Sequence, residues 1–183
     1  IKKLKKKIKN LSLYNIGLSN KVSNKVNIYE AHFKKYHLSP FDSLSKNNVI
    51  KHLEDSLFIK NIKKIISIKK TFVKINKLDN FELSPCFIKI DIQGHEYECI
   101  KGSTNTIQKH KPIIMVEYDN LIILKIYKLL NKFGYKKFYF ISRKKKLIEH
   151  KKEKVFNIFF IHNSLINQLN KKIRIYRLDN YKT

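Results

Sequence analysis

Residues 86–96 read Cys86-Phe-Ile-Lys-Ile-Asp-Ile-Gln-Gly-His-Glu96, and this stretch decides the predicted fold. From Cys86 to Ile92 every second residue is apolar, so one face of the segment is apolar in the period-two pattern of a β-strand. Gly94 follows, and glycine turns the backbone with no Cβ in the way. The pattern therefore predicts a strand over residues 86–92 that ends in a tight turn.

Helix and strand patterns alternate after this stretch. Residues 96–110 are expected to form a helix, which Pro112 ends, and residues 112–118 a second strand. Such a strand–helix–strand unit predicts two adjacent parallel strands joined by a right-handed crossover. Asp119 or Asn120 can then cap a helix that runs to Gly134, a residue type common just after a helix.

Two more strands are predicted near the C-terminus, at residues 136–142 and 154–161. A lysine-rich turn with no good helix joins them, so they are expected to be antiparallel. The whole pattern predicts an α/β fold with a parallel sheet and an antiparallel C-terminal strand.

The chain before residue 79 has weaker patterns. Residues 1–9 suggest the end of a basic helix, and residues 11–18 and 22–29 are strand candidates around a polar turn. A short helix is expected within 47–64 and another strand at 70–77.

The formal net charge of +26 raises the question of nucleic-acid binding, because basic surfaces neutralise phosphates. Nearly all of the basic residues are lysines, however, and arginine occurs only at positions 143, 174 and 177. Arginine is the side chain that bonds phosphates and guanine edges with two parallel N–H groups. We therefore interpret the lysine excess as compositional bias, together with the excess of Ile, Asn, Phe and Tyr, and do not expect a nucleic-acid partner.

Residues 79–100 depart from this basic background. They contain five acidic residues and one lysine, a net charge of −4; the acids are Asp79, Glu82, Asp91, Glu96 and Glu98. Two of the four glycines, Gly94 and Gly102, lie in or beside the same window. A physical constraint is expected to hold these residues in place.

Other classes of protein and site are not expected. No apolar run is long enough to span a membrane. Two cysteines without a pairing pattern suggest a cytoplasmic setting. The histidines outside the 86–96 stretch have no ligand spacing with cysteines or acids, so no metal site is expected; they are His32, His37, His52, His110, His150 and His162.

Three segments together resemble the signature block of FkbM-type methyltransferases, at residues 87–117. They are residues 87–96, then Ile100-Lys-Gly102, then Lys111-Pro-Ile-Ile-Met-Val-Glu117. Residues 77–81 and 13–19 are similar to segments upstream of that block in the same family. The resemblance implies a Rossmann-like class I sheet and transfer of a methyl group from S-adenosylmethionine. It also implies an oxygen acceptor on a sugar, a glycan or another small molecule.

The site residues follow from this resemblance and from the rule that ligands bind beyond the carboxyl ends of parallel strands. The candidate catalytic residues are Asp91, His95 and Glu96, and the candidate cofactor-binding residues are Asp91, Gln93, Gly94 and Ser19. Carboxylates there would attract a cationic sulfonium. The family more often has glutamate at position 93, so an acid or base role of Gln93 is not expected.

Each candidate also has a structural interpretation. Asp91 could cap the next helix, His95 could orient the loop, and Glu96 could gain from the helix dipole. Gly102 is expected to permit close helix–sheet packing. Glu117 could face the site or pair with a surface lysine.

A glycine-rich strand–helix turn for the cofactor is missing, since Gly17 stands alone. Residues 1–183 are therefore expected to be a partial methyltransferase domain, truncated at the N-terminus, whose cofactor glycine loop lies upstream of residue 1. On this view the 183-residue chain binds S-adenosylmethionine poorly. Two alternatives stay open: a non-catalytic truncated remnant of the fold, and a basic nucleic-acid-associated protein.

Overall fold

The computed structural model describes residues 10–58, 61–170 and 174–176. The basic helix predicted at residues 1–9 lies outside them. The strands are β1 Gly17–Leu18, β2 Ser23–Phe33, β3 Tyr36–His37, β4 Ser67–Asn76, β5 Phe87–Ile90, β6 Ile113–Glu117, β7 Tyr135–Ile141, β8 Lys146–Glu149, β9 Asn157–His162 and β10 Arg174–Tyr176. The α-helices are α1 Lys46–Leu57, α2 Glu96–Lys101, α3 Thr104–His110, α4 Asn120–Leu130 and α5 Asn163–Asn170. Short 3-10 helices are Ser39–Phe41, Ile62–Lys64, Leu78–Phe81, Asn131–Phe133 and Ser142–Lys144.

The strands form two mixed sheets instead of one doubly wound sheet. The large sheet has the order β10-β8-β7-β9-β6-β5, and the small sheet has the order β1-β4-β2-β3. In the small sheet β4 pairs with β1 on one side and, antiparallel over most of its length, with β2 on the other. The pairing with β1 involves only Ile75 and Asn76 at the end of β4.

The predicted parallel pair is confirmed. β5 and β6 are adjacent and parallel, in a register from Phe87 opposite Ile113 to Ile90 opposite Val116. The handedness of the crossover between them stays a prediction. The first strand is shorter than predicted, since it ends at Ile90 before the turn at Gln93 and Gly94.

The single helix predicted at 96–110 is wrong. It divides into α2 and α3, and Gly102 is the C-cap of α2. A Cβ on Gly102 would overlap the carbonyl oxygen of Ser19 and lie 2.7 Å from its carbonyl carbon. The expected close packing at Gly102 is confirmed, but its partner is the backbone that follows β1. This contact comes from a segment about 80 residues upstream, so helix propensity alone could not locate the break.

The C-terminal strands contain one element that was not predicted. β7 pairs antiparallel with both β8 and β9, and β9 also pairs antiparallel with β6. The antiparallel C-terminal strand is thus confirmed. The lysine-rich turn joins β7 to β8 instead of to β9, and Lys145 in that turn has a φ of 47°.

Before residue 79, the observed strands and helix differ from the predicted ones mainly in length. The strand predicted at 11–18 is only Gly17–Leu18, whereas β2 runs past its predicted end to Phe33. α1 ends at Leu57, with Phe58 in the left-handed conformation, so the helix predicted within 47–64 is shorter.

Helices cover both faces of the large sheet. Ile158 and Phe160 of β9 pack with buried residues of α2, α3 and α4, whereas Ile161 of the same strand packs with Ile166 of α5. A separate core forms where α1 packs on the small sheet through Val49, Ile50 and Leu53. Among the described residues, no helix is long and apolar enough to cross a membrane.

Candidate active site

The turn after β5 is built from unusual backbone and one buried carboxylate. Gln93 has a φ of 51° and Gly94 a φ of 94°. Oε1 of Glu96 accepts hydrogen bonds from the backbone N–H groups of Ile92 at 3.3 Å and Gly94 at 3.1 Å. Glu96 therefore fixes the turn at the carboxyl end of β5, which adds to the helix-dipole role considered for it.

The second oxygen of Glu96 is the least satisfied atom of the site. Glu96 is only 4% exposed, and its Oε2 has no hydrogen-bond partner among the described residues. Buried polar atoms in folded proteins nearly always have a partner, and an unpaired buried charge costs several kcal/mol. A donor or cationic ligand at this oxygen would remove that cost.

Glu96 borders a polar cleft with a volume of about 580 Å³. Three chain segments line it: the turn after β5, the carboxyl end of β6 with the start of α4, and one side of α1. The lining residues include Gln93, Gly94, Glu96, Glu117, Tyr118, Asp119, Asn48, Lys51, His52, Asp55 and Ser56. The cleft lies beyond the carboxyl ends of the two parallel strands, where ligands of open α/β sheets bind.

The contribution of α1 was missed by the sequence predictions. Ser45 caps this helix, and its Oγ accepts from the N–H of Asn48 at 3.4 Å. With the apolar side buried, Asn48, His52 and Asp55 face the cleft at spacings of three and four residues. The helical spacing of these polar residues was visible in the sequence. No local pattern, however, indicated which part of the protein the polar side of α1 would face.

His95 and Ser19 meet each other and do not line the cleft. Nε2 of His95 lies 3.0 Å from Oγ of Ser19, which is buried. The close approach of Gly102 to the Ser19 backbone holds Ser19 in this place. The contact favours the orienting interpretation of His95.

Asp91 lies neither in the cleft nor at the contact between His95 and Ser19. Its carboxylate accepts from Nζ of Lys89 at 2.7 Å and from Nε2 of Gln93 at 3.4 Å, and its side chain is 41% exposed. The interpretation of Asp91 as a helix cap is wrong, because α2 begins only at Glu96 and has no side-chain cap. The structure therefore brings Gln93, Gly94 and Glu96 to the cleft but places Asp91 at its outside.

Three further residues have defined environments. Glu117 lines the cleft, and among the described residues no cation lies within ion-pair distance of it. Asp119 is the N-cap of α4, since its Oδ1 accepts from the N–H of Ile122 at 2.9 Å. Burial raises the pKa of the Cys99 thiol to about 11, so this thiol stays protonated at neutral pH and is a poor nucleophile.

The structural role of Asp79, which was expected only to be held by some physical constraint, was not predicted. Its carboxylate accepts from the N–H groups of Asn105 at 3.1 Å and Thr106 at 2.8 Å, and so caps α3 from 26 residues upstream. Its own N–H donates to the carbonyl of Gly102 at 3.1 Å. Asp79 therefore stabilises the break between α2 and α3.

Comparison with known proteins agrees with the resemblance. The family model of the methyltransferase FkbM domain matches residues 2–137. The crystal structure of methyltransferase FkbM from Methylobacillus flagellatus KT is similar, with a TM-score of 0.38 and 15% sequence identity over 64% of this chain and 34% of that one. The chain thus spans about a third of that protein's length. No curated protein gives a match. Because the family model covers most of the chain, including the turn after β5, the protein belongs to the FkbM methyltransferase family.

Proposed function

We propose that this protein is an S-adenosylmethionine-dependent methyltransferase that methylates an oxygen of a sugar, a glycan or another small molecule. The acceptor binds in the cleft between α1 and the turn after β5. One observation carries the proposal: Gln93, Gly94 and Glu96 of the family block line the same cleft as His52 of α1, and the buried Oε2 of Glu96 faces no donor in the described chain.

The residues present fit the cationic part of S-adenosylmethionine. A buried carboxylate oxygen without a donor matches a cationic group, and Asp91 adds a second negative charge beside the same turn. Gln93, Gly94 and Glu96 would hold this group, Asp91 would attract it by its charge from outside the cleft, and Ser19 would contribute by positioning His95. When bound, S-adenosylmethionine supplies an electrophilic methyl group.

The lining of the cleft supports a hydroxyl-rich acceptor. Asn48, Asp55, Ser56 and Glu117 offer hydrogen-bonding groups on opposite sides of the cleft. A hydroxyl that gains a methyl group must lose its proton, and His52 is proposed to accept it. Its imidazole lines the cleft and has no hydrogen-bond partner among the described residues.

The edge of the large sheet supports the finer proposal of a class I methyltransferase sheet. Within the described chain β5 pairs only with β6, so its other edge is free. An apolar groove of about 470 Å³ runs along it, lined by residues such as Leu18, Leu78, Phe87 and Ile92. A class I sheet continues past this strand, and a further strand would satisfy both the edge and the groove.

The test is methyl transfer from radiolabelled S-adenosylmethionine by the protein, with a panel of sugars and small alcohols. His52→Gln is expected to lower turnover on the order of 10²-fold, the usual contribution of a general base. His110→Gln, on α3 and away from the cleft, is the matched control. Turnover that His52→Gln leaves unchanged would contradict the role of the cleft, and wild-type protein without any transfer would favour the non-catalytic alternative.

The cytoplasmic setting is part of the same proposal. Cys86 and Cys99 are both free thiols. Free thiols persist in reducing compartments.

One observation favours the nucleic-acid alternative. Phe72 on the small sheet is 55% exposed, and the Nζ atoms of Lys25 and Lys70 lie 4.3 Å and 5.9 Å from the centre of its ring. Exposed aromatic rings between cations are where single-stranded bases stack. Salt-dependent oligonucleotide binding that Phe72→Ala abolishes would favour this function over a small acceptor.

A further inference from the structure

A second group of chemically active side chains lies on the small sheet, apart from the cleft. Glu30 and His32 are on β2 and His37 is on β3, and their candidate ligand atoms lie within 4.8 Å of one another. Asp42 adjoins them, with its two oxygens 2.8 Å and 3.0 Å from Nε2 of His37. We propose that Glu30, His32 and His37, with Asp42 as a nearby fourth ligand, form a site for one divalent first-row transition-metal ion, best matched to Zn²⁺.

The backbone brings the four residues together and holds them there. His32 and His37 are directly opposite each other in the β2–β3 hairpin, and their rings are stacked with centroids 4.9 Å apart. Glu30 lies two residues before His32, so both side chains point to the same face of β2. Tyr29 and Ser43 exchange two backbone hydrogen bonds, which hold the segment of Asp42 against β2.

One pair of ligand atoms already has the spacing that a tetrahedral ion requires, whereas the stacked rings of His32 and His37 would have to rotate so that both point at the ion. Zinc–ligand bonds of about 2.0–2.2 Å separate the ligand atoms of such a site by roughly 3.4 Å. Nε2 of His32 and Oε2 of Glu30 are already 3.4 Å apart. The closer contact between His37 and Asp42 would open slightly as an ion replaces the proton between them.

A supporting contact orients one ligand, and the site is partly shielded from solvent. Oγ1 of Thr71 donates to Oε1 of Glu30 at 2.8 Å, so Oε2 is left toward His32. Such contacts to ligating carboxylates are typical of metal sites. The side chains of His32, Asp42 and Glu30 are 12%, 18% and 24% exposed, and His37 at 40% forms the entrance.

The charges also favour a cation. Two carboxylates neutralise a divalent ion, and imidazole with carboxylate is a ligand set suited to zinc. Lysines are the common cations of this chain, yet the two carboxylates contact histidines. The neighbouring Lys34 and Lys35 lie over the rings of Phe33 and Tyr36.

The proposal opposes the expectation from sequence that no metal site is present. Residues 30, 32, 37 and 42 match no common ligand spacing, and only the hairpin and the return of the chain at Asp42 assemble them. Four protein ligands are typical of a structural ion. The ion would fasten the hairpin to the segment that leads into α1, and so would hold one wall of the cleft.

The test uses the full chain after treatment with a chelator. Isothermal titration with Zn²⁺ is expected to give one bound ion per chain, and Co²⁺ in its place is expected to show the intense visible absorption of a four-coordinate ion. His32→Gln and His37→Gln are each expected to weaken binding by at least about 100-fold. Thr71→Val keeps all four ligands and is expected to weaken binding by about 10-fold.

His110→Gln is the matched control and is expected to bind as the wild type does. Circular dichroism of each metal-free variant shows whether it has folded. The proposal is overturned if the folded wild type binds no ion, or if His32→Gln and His37→Gln bind as tightly as the control. It is also overturned if bound Co²⁺ shows only the weak absorption of a six-coordinate ion.

Discussion

The two regions that line the cleft differ in how their residues come together. In residues 79–117 local contacts hold the turn after β5: Lys89 bonds Asp91, and Glu96 bonds the turn before it. In residues 19–58, His52 reaches the cleft only through tertiary packing, and His32 and His37 meet only because β2 and β3 pair. The turn can therefore be interpreted from its own sequence, whereas the histidines of the second region can be interpreted only from the structure.

The acidic window within the first region illustrates the difference. Its net charge of −4 suggested that a physical constraint holds these residues, and Asp79 indeed caps α3 while Glu96 holds a turn through one oxygen. Structural hydrogen bonds therefore account for part of this retained charge. Oε2 of Glu96 has no partner among the described residues, and Asp91 is partly exposed.

The substitution with the largest expected effect changes the contact between Gly102 and Ser19, which joins the two regions. Gly102→Ala places a Cβ against the backbone of Ser19, which cannot move as a side chain would. We expect the free energy of unfolding to fall by about 3 kcal/mol, the upper part of the range for overpacking. Urea denaturation monitored by circular dichroism measures it.

Gly94→Ala is the control for this substitution. No atom lies within 4 Å of a Cβ at Gly94, so only its positive φ opposes alanine, at about 1–2 kcal/mol. Equal losses in the two variants would show that the contact between Gly102 and Ser19 does not determine how the regions pack.

The second effect concerns Asp91, which we propose positions the cofactor or acceptor through its charge. Asp91→Asn is expected to lower turnover on the order of 10²-fold. The melting temperature should change little, because an exposed ion pair is worth about 0–1 kcal/mol. Radiolabelled methyl transfer and thermal unfolding measure the two quantities.

Lys89→Met is the control, since it removes the partner of Asp91 and keeps the carboxylate. We expect this variant to retain turnover. A smaller fall than for Asp91→Asn is expected for His95→Ala, because the contact of His95 with Ser19 favours an orienting role. If Asp91→Asn turns over normally, Asp91 has only a structural role.

The substitution with the smallest expected effect tests whether the acidic residues of the 79–100 window have structural roles. Asp79→Ala removes two hydrogen bonds to the start of α3, and we expect a loss of about 1 kcal/mol in the free energy of unfolding. Glu82→Ala, at an exposed position nearby, is expected to change it by less than about 0.5 kcal/mol. Equal stabilities would remove the structural explanation of the retained charge.

The sequence predictions succeeded where short-range patterns govern the structure. The strand at 87–90, its parallel partner and the cap at Asp119 were all predictable, because alternation, glycine and capping residues act within a few positions. The division of the helix after Lys101 was not predictable, since it depends on Asp79 and Ser19 far along the chain. The strand β8 was missed because lysine and glutamate flank only two apolar residues.

By itself, the sequence determined the family, the parallel β5–β6 pair and the turn at Gln93 and Gly94, since these rest on residues that are neighbours in the chain. Only the tertiary structure decided which side chains face the cleft. It also placed Asp91 outside the cleft. It brought the ligand atoms of Glu30, His32 and His37 within 4.8 Å of one another, with Asp42 beside His37. The physical reason is that strand pairing and chain reversal set distances between remote residues, and no local pattern encodes those distances.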